Sequence, residues 1–199
     1  MMRRLLFAVM LSLLTTVPRP SAAHPHIWIT AALSFVFEDG KLTALRQAWV
    51  FDDFFSATLI QDFDKDKNGV FDAAEQQALA GQAFAALRES DYFSRMRQGV
   101  ESFPFGDAQN FSATQAKGLV VYGFTLPLAT PLDPARGPIT AGIYDESFFV
   151  DVAFDEADPV RFDGIPSGTC SYAIREDPAD AIYGGLVIPP SATITCHMP

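Results

Sequence analysis

The sequence predicts an α+β fold: one antiparallel β-rich domain, a sandwich or a sheet, with a helix–loop–helix inserted after its first hairpin. Three observations predict it. Residues 26–37 alternate with a period of two, the pattern of a half-buried strand. Glu38-Asp39-Gly40-Lys41 then offers an Asp-Gly turn, and Leu42 to Phe51 returns as a second strand. From about Asp53 to Glu89 the spacing becomes helical on both sides of an acidic loop that contains a glycine.

Ahead of the first strand, Arg3 and Arg4 precede an apolar run, Leu5 to Val17, and Ser21-Ala22-Ala23 offers the small residues a signal peptidase reads. The run is short for a membrane span, and Pro18, Arg19 and Pro20 end it. The expectation is a signal peptide over residues 1–23, cleaved after Ala23, with no stable membrane insertion afterwards. An uncleaved anchor is the alternative. Residues 24–199, about 175 in all, then form a single domain with chain enough for a sizeable core.

Within that domain, Ile27, Ile29, Ala31, Leu33, Phe35 and Phe37 mark one face of the first strand. Further strands are expected over Tyr92 to Gln98, Gly118 to Leu128, Ile139 to Ala141 and Ser147 to Phe154. Short ones follow over Val160 to Phe162, Thr169 to Ile174 and Thr193 to Cys196. The 18 phenylalanines are spread over nearly every strand, which builds either an aromatic core or an aromatic ligand groove.

The inserted segment carries the most specific chemistry. Asp64, Asp66 and Asn68 occupy positions 1, 3 and 5 of a 12-residue loop. Gly69 stands at position 6, where the chain must turn with positive φ, and Val70 offers its carbonyl at position 7. Asp72 is at position 9, and Glu75 supplies the two-oxygen carboxylate at position 12. Every ligand position carries an oxygen donor, so the segment reads as an EF-hand helix–loop–helix that binds Ca2+. Ile60 and Phe63 continue helical spacing upstream, and Leu79, Ala83 and Leu87 form an apolar stripe downstream, from Ala73 to Arg88. An acidic surface turn is the plainer reading of the same residues.

Charge and cysteine usage bound the partners. The chain has a formal net charge of −10, and loss of residues 1–23 removes three arginines and no acid. That balance argues against nucleic acid, which requires a basic surface. Cys170 and Cys196 are an even pair suited to a disulfide in an oxidising compartment, or alternatively to a metal-binding thiol pair. If paired, they would pin a terminal strand, Ala192 to Cys196, to the strand around Cys170.

Three histidines remain. Cleavage after Ala23 would give His24 a free amine beside its own imidazole, with His26 two residues on. These nitrogens suit Ni2+, Co2+, Cu2+ or Zn2+. Pro25 removes an amide nitrogen, so a planar amide-based copper site is not available. Exposed histidines in an unstructured leader are the alternative. No Gly-x-Ser-x-Gly, His-Glu-x-x-His or phosphate-binding glycine loop occurs, so no enzyme activity is expected. Asp52, Asp53, Asp145, Glu146 and Asp151 read as solvated turn carboxylates.

His-Pro-His-Ile-Trp-Ile at 24–29, Leu-Ser-Phe-Val-Phe-Glu-Asp-Gly-Lys-Leu from Leu33, Trp49-Val50-Phe51-Asp52, the Asp64–Glu75 loop and Asp91-Tyr92-Phe93 occur in series. The combination resembles a bacterial exported family of unknown function. Its members are commonly labelled the periplasmic component of an uncharacterised ABC-type transport system associated with a nickel/cobalt exporter. The resemblance implies a periplasmic accessory protein and an inner-membrane metal transporter as partner. A calcium-stabilised interaction module with no transition-metal role is the competing expectation.

Overall fold

The structure, a computed structural model, describes residues 25–197. The expected signal segment and His24 lie outside the described residues. The chain runs β1 (Ile27–Glu38), β2 (Lys41–Phe51), α1 (Asp53–Phe63), α2 (Ala73–Leu79), β3 (Ser94–Gln98), β4 (Glu101–Ser102), β5 (Gln109–Ala116) and β6 (Leu119–Leu132). It continues through β7 (Ile139–Ile143), β8 (Val150–Phe154), β9 (Val160–Asp163), β10 (Cys170–Glu176) and β11 (Pro190–Cys196).

The expected hairpin forms. β1 and β2 pair antiparallel from Ile29 opposite Phe51 to Glu38 opposite Lys41. Asp39 and Gly40 turn between them with φ of +50° and +76°, the left-handed pair that matches the twist of a tight hairpin. Ile29, Ala31, Leu33, Phe35 and Phe37 are all buried, as the alternation predicts. β6 flanks β2, and β5 flanks β6, giving the order β5-β6-β2-β1. On the far side of β1, β8 and β9 pair with successive stretches of that strand, and both run parallel to it. The second sheet has the order β10-β11-β7-β3-β4 and is antiparallel throughout.

The two sheets share one core. Phe35, Leu45, Trp49 and Phe124 reach it from the first sheet, and Met96, Ile139, Ile143 and Ile194 from the second. Complete burial of such a side chain contributes about 2–3 kcal/mol. Inside this core a polar chain crosses between the sheets. Trp49 Nε1 donates to Gln47 Oε1 at 2.8 Å, Gln47 Nε2 donates to Ser94 Oγ at 2.8 Å, and Ser94 Oγ donates to the Tyr92 carbonyl at 2.8 Å. Many of the phenylalanines serve as core: Phe84 packs against Phe111, Phe124 and Tyr92, and Phe93 stacks on Trp49, whereas Phe54 and Phe149 are exposed.

Several boundaries differ from the sequence reading. β3 starts at Ser94, because Asp91, Tyr92 and Phe93 all have left-handed φ, between +51° and +54°. That coil turns the Tyr92 side chain and the Phe93 ring onto the core. β8 starts at Val150, because the Asp145 carboxylate accepts from the backbone of Ser147, Phe149 and Val150 and holds a turn there. The second helix keeps α geometry only to Leu79, widens over Ala80–Phe84 and tightens from Ala85 until helical geometry is lost at Ser90. The widened stretch contains Gly81, the poorest helix former in the run. β5 has no counterpart in the sequence reading.

Cys170 and Cys196 face each other across β10 and β11 and form a disulfide. This removes the thiol-pair alternative. Among the described residues no helix is long and apolar enough to cross a membrane.

Candidate metal centre

The loop from Asp64 to Glu75 joins α1 to α2. Asp52 starts α1: its Oδ1 accepts from the Phe54 and Phe55 amides, and its Oδ2 accepts from Trp28 N at 2.9 Å. The carboxylate expected to be a solvated turn group thus clamps the helix start to β1. Ser56 is buried, accepts from Val120 N and donates to the Phe51 carbonyl, which seats α1 on β6. α1 ends where the Asp64 amide donates to the Ile60 carbonyl.

The loop then folds around its own carboxylates. Asp64 Oδ1 accepts from Asn68 N at 3.1 Å, and Oδ2 accepts from Gly69 N at 3.0 Å. Gly69 has φ +82°, so the turn at position 6 uses the freedom that the sequence assigns to it. Glu75 Oε1 accepts from Lys65 N at 2.6 Å, and Oε2 accepts from Asp72 N at 2.9 Å, closing the loop end to end. The Asp72 carboxylate accepts from Ala74 N and Glu75 N and caps α2, with Glu75 answering in a capping box.

Asp64, Asp66 and Glu75 bring one carboxylate oxygen each within 4.8 Å of one another. Asp64 and Glu75 are buried, at 4% and 7% exposure, whereas Asp66 is exposed. Asn68 lies beside them, donating from Nδ2 to Asp66 Oδ2 at 2.8 Å and accepting from Val70 N at Oδ1. Asp72 is outside the three-carboxylate group and spends its oxygen on the cap, as suits a position that ligates through water. Val70 is exposed, and Phe71 after it is buried in the core, which fixes the exit of the loop.

β5 holds the site from the other side. Gln115 Nε2 donates to Asp64 Oδ2 at 3.0 Å. Gln76 forms a two-bond clasp with the backbone of Ala113, donating to its carbonyl at 2.6 Å and accepting from its amide at 2.8 Å. The Gln115 bond and the amides of Gly69, Asn68 and Lys67 hold the Asp64 carboxyl below its ordinary range, against a desolvation that pushes it up. Sequence reasoning missed Gln115, on an unrecognised strand, and Gln76, a helix glutamine whose partner lies on that same strand. Among the described residues, no ion pair reaches Asp64, Asp66 or Glu75. Lys65 and Lys67 lie within the loop but pair with none of these three carboxylates, and the arrangement suits a hard, oxygen-seeking cation.

His26 and His197 are both exposed. The His26 ring lies 4.8 Å from that of Phe149, and its amide donates to the Phe149 carbonyl at 2.8 Å. β1 and β11, which they adjoin, belong to different sheets. Among the described residues, the carboxylate trio is the one cluster of three or more potential metal donors, and His26 is not in it.

A family model described as a protein of unknown function (DUF1007) matches residues 9–184. The chain is similar to an uncharacterised 15.5 kDa protein of Spirochaeta aurantia, with 34% identity over 137 residues, covering 69% of this chain and 97% of that protein. It is also similar to an uncharacterised protein of Haemophilus influenzae, with 23% identity over 160 residues, covering 79% of this chain and 75% of the relative.

Proposed function

The chain belongs to the DUF1007 family of proteins of unknown function, and we propose that it is an exported calcium-binding accessory protein whose Asp64–Glu75 loop holds one Ca2+ as a structural brace. The observation that carries this reading is the convergence of buried Asp64 and Glu75 with Asp66, with no ion pair to any of the three among the described residues. Like charges so placed repel and are desolvated, and a divalent ion offsets both costs. Asp64, Asp66, Asn68, the Val70 carbonyl and Glu75 supply oxygens directly, and Asp72 through water. Export is supported by the disulfide and by the leader pattern of residues 1–23.

Calorimetry tests the site. The protein is expected to bind calcium with a Kd of roughly 10⁻⁵ to 10⁻³ M, the range of weaker and extracellular sites. Glu75→Gln removes the two-oxygen ligand and is expected to weaken binding sharply. Unchanged affinity in that variant overturns the assignment.

The resemblance to periplasmic transport components supports a place beside an inner-membrane metal transporter. A cargo site for Ni2+, Co2+, Cu2+ or Zn2+ at His24 and His26 belongs to the same reading. It is favoured by the exposed His26 ring, held by Phe149 at the start of β1. Metal titration of the processed protein checks it, with His26→Ala and a variant carrying one extra residue before His24 as controls. Retention of full affinity in both leaves the calcium-braced interaction module without a transition-metal role.

A further inference from the structure

An open sheet ends in strands whose outward amides and carbonyls lack partners, and proteins shield such edges by covering, shortening or charging them. Three of the four sheet edges here are shielded. On β5, Gln76 occupies both the amide and the carbonyl of Ala113. β4 is two residues long. β8 and β9 divide the far edge of the first sheet into pieces of five and four residues, carrying Asp151, Arg161 and Asp163. β10, the outermost strand of the second sheet, has seven residues and neither proline nor lysine.

The hydrogen-bond phase of β10 fixes what its edge offers. His197 N donates to the Thr169 carbonyl at 2.9 Å, and Pro190, which has no amide hydrogen, faces Glu176. Bonded pairs alternate along an antiparallel ladder. Ser171, Ala173 and Arg175 therefore bond to β11, and the amides and carbonyls of Tyr172 and Ile174 point away from it. Among the described residues, no backbone group bonds to them. Their side chains stand opposite buried Ile194 and Ala192, on the core-facing side of the sheet, yet Tyr172 remains 44% exposed. The core face thus runs to the edge and stops there uncovered.

We propose that β10 pairs antiparallel with β10 of a second copy of this chain, about a twofold axis at Ala173. This register sets Tyr172 opposite Ile174 of the second copy and the reverse, each pair exchanging two backbone bonds. It places an aromatic beside a β-branched side chain, a favoured cross-strand neighbour, and continues the core face across the axis. Arg175 falls opposite Ser171 and Glu176 opposite Cys170, so no like charges meet. The Cys170–Cys196 disulfide holds the strand in place before it pairs. The proposal stands independently of the calcium assignment.

Sedimentation velocity of the processed protein and paired cysteine variants test it. An interface this small is expected to give a Kd of roughly 10–100 µM. Tyr172→Pro removes an outward amide without taking a bond from β11, and two such losses per dimer are expected to weaken association about thirtyfold. Ala173 meets its own symmetry mate in a pair without backbone bonds, where Cα atoms lie about 4.5 Å apart, a separation that a disulfide spans. Ala173→Cys is therefore expected to give linked dimers on mild oxidation, mapped by mass spectrometry to position 173. Ser171→Cys, whose symmetry mate lies about 13 Å away along the ladder, is expected to give none. A parent that stays monomeric at about 1 mM, a folded Tyr172→Pro that dimerises as the parent does, or linkage at 173 no greater than at 171 each overturns the proposal. If Tyr172→Pro does not fold, the two cysteine variants decide.

Discussion

Gln115 donates from Nε2 to Oδ2 of Asp64 across 3.0 Å, tying the first residue of the acidic loop to β5, a strand that α2, β3 and β4 separate from it along the chain. The contact orients a carboxylate that is already deprotonated and buried. Neighbours that fix a metal ligand commonly change affinity by 10–100-fold when lost. Gln115→Leu is therefore expected to weaken calcium binding about tenfold while leaving the sheets intact. Calorimetry beside a far-ultraviolet spectrum checks both halves.

That contact also marks where the sequence stops being informative. The oxygen donors of the loop are legible because they recur at regular spacing along one continuous segment, and Gly69 announces the one demanding turn. β1 and β2 are legible because Ile29 to Phe37 alternate cleanly and Asp39-Gly40 joins them. β5 is hard to read because its alternation is short: Phe111 and Ala113 face inward, but the next inward position is the polar Gln115, and Ala113 alone is fully buried. Gln76 and Gln115 take their roles from that hidden strand and are hidden with it. The parallel pairing of β8 and β9 with β1 depends on chain folding between distant segments, which no local pattern encodes. Tyr92 and Phe93 carry good strand residues, yet a left-handed coil overrides that preference to place both rings.

The buried chain from Trp49 through Gln47 to Ser94 spans both sheets, and its middle member is 1% exposed. Gln47→Leu preserves approximate volume but strands the indole N–H in an apolar core. The expected cost is about 2 kcal/mol, and for a chain of this size Tm falls by roughly 4–8 °C. Thermal unfolding followed through Trp49 fluorescence measures it. A change within 1 °C or so would show that the bridge carries no net stability.

Asp177 gives a pH signature. Its carboxylate accepts from the Ala179 amide and, at 2.6 Å, from Arg97, and these bonds hold its pKa below the ordinary value against desolvation. A depressed folded-state pKa contributes stability that is fully present above the unfolded value, near 3.9, and is lost as pH falls through the folded value. Asp177→Asn is expected to lower Tm at neutral pH. The gap to the parent should close as pH drops below about 4. A gap that persists at the lowest pH would assign the effect to packing of the 177–180 turn.

The acidic loop occurs once, and with the export proposed above a lone loop suits a permanent brace. Its anchors agree: Phe71 is buried in the shared core, Gln76 clasps Ala113, and Gln115 holds Asp64, so both flanks of the loop are already docked on the first sheet. Calcium binding then has little to rearrange. A ligand bound only by the folded state stabilises by mass action, about 2.7 kcal/mol at 100 times its Kd. Chelation is therefore expected to lower Tm with an unchanged β-sheet spectrum and no newly exposed apolar surface, read by dye binding. A large spectral change, or strong dye binding in calcium, would instead describe a switch in which the helices part from β5 and β6.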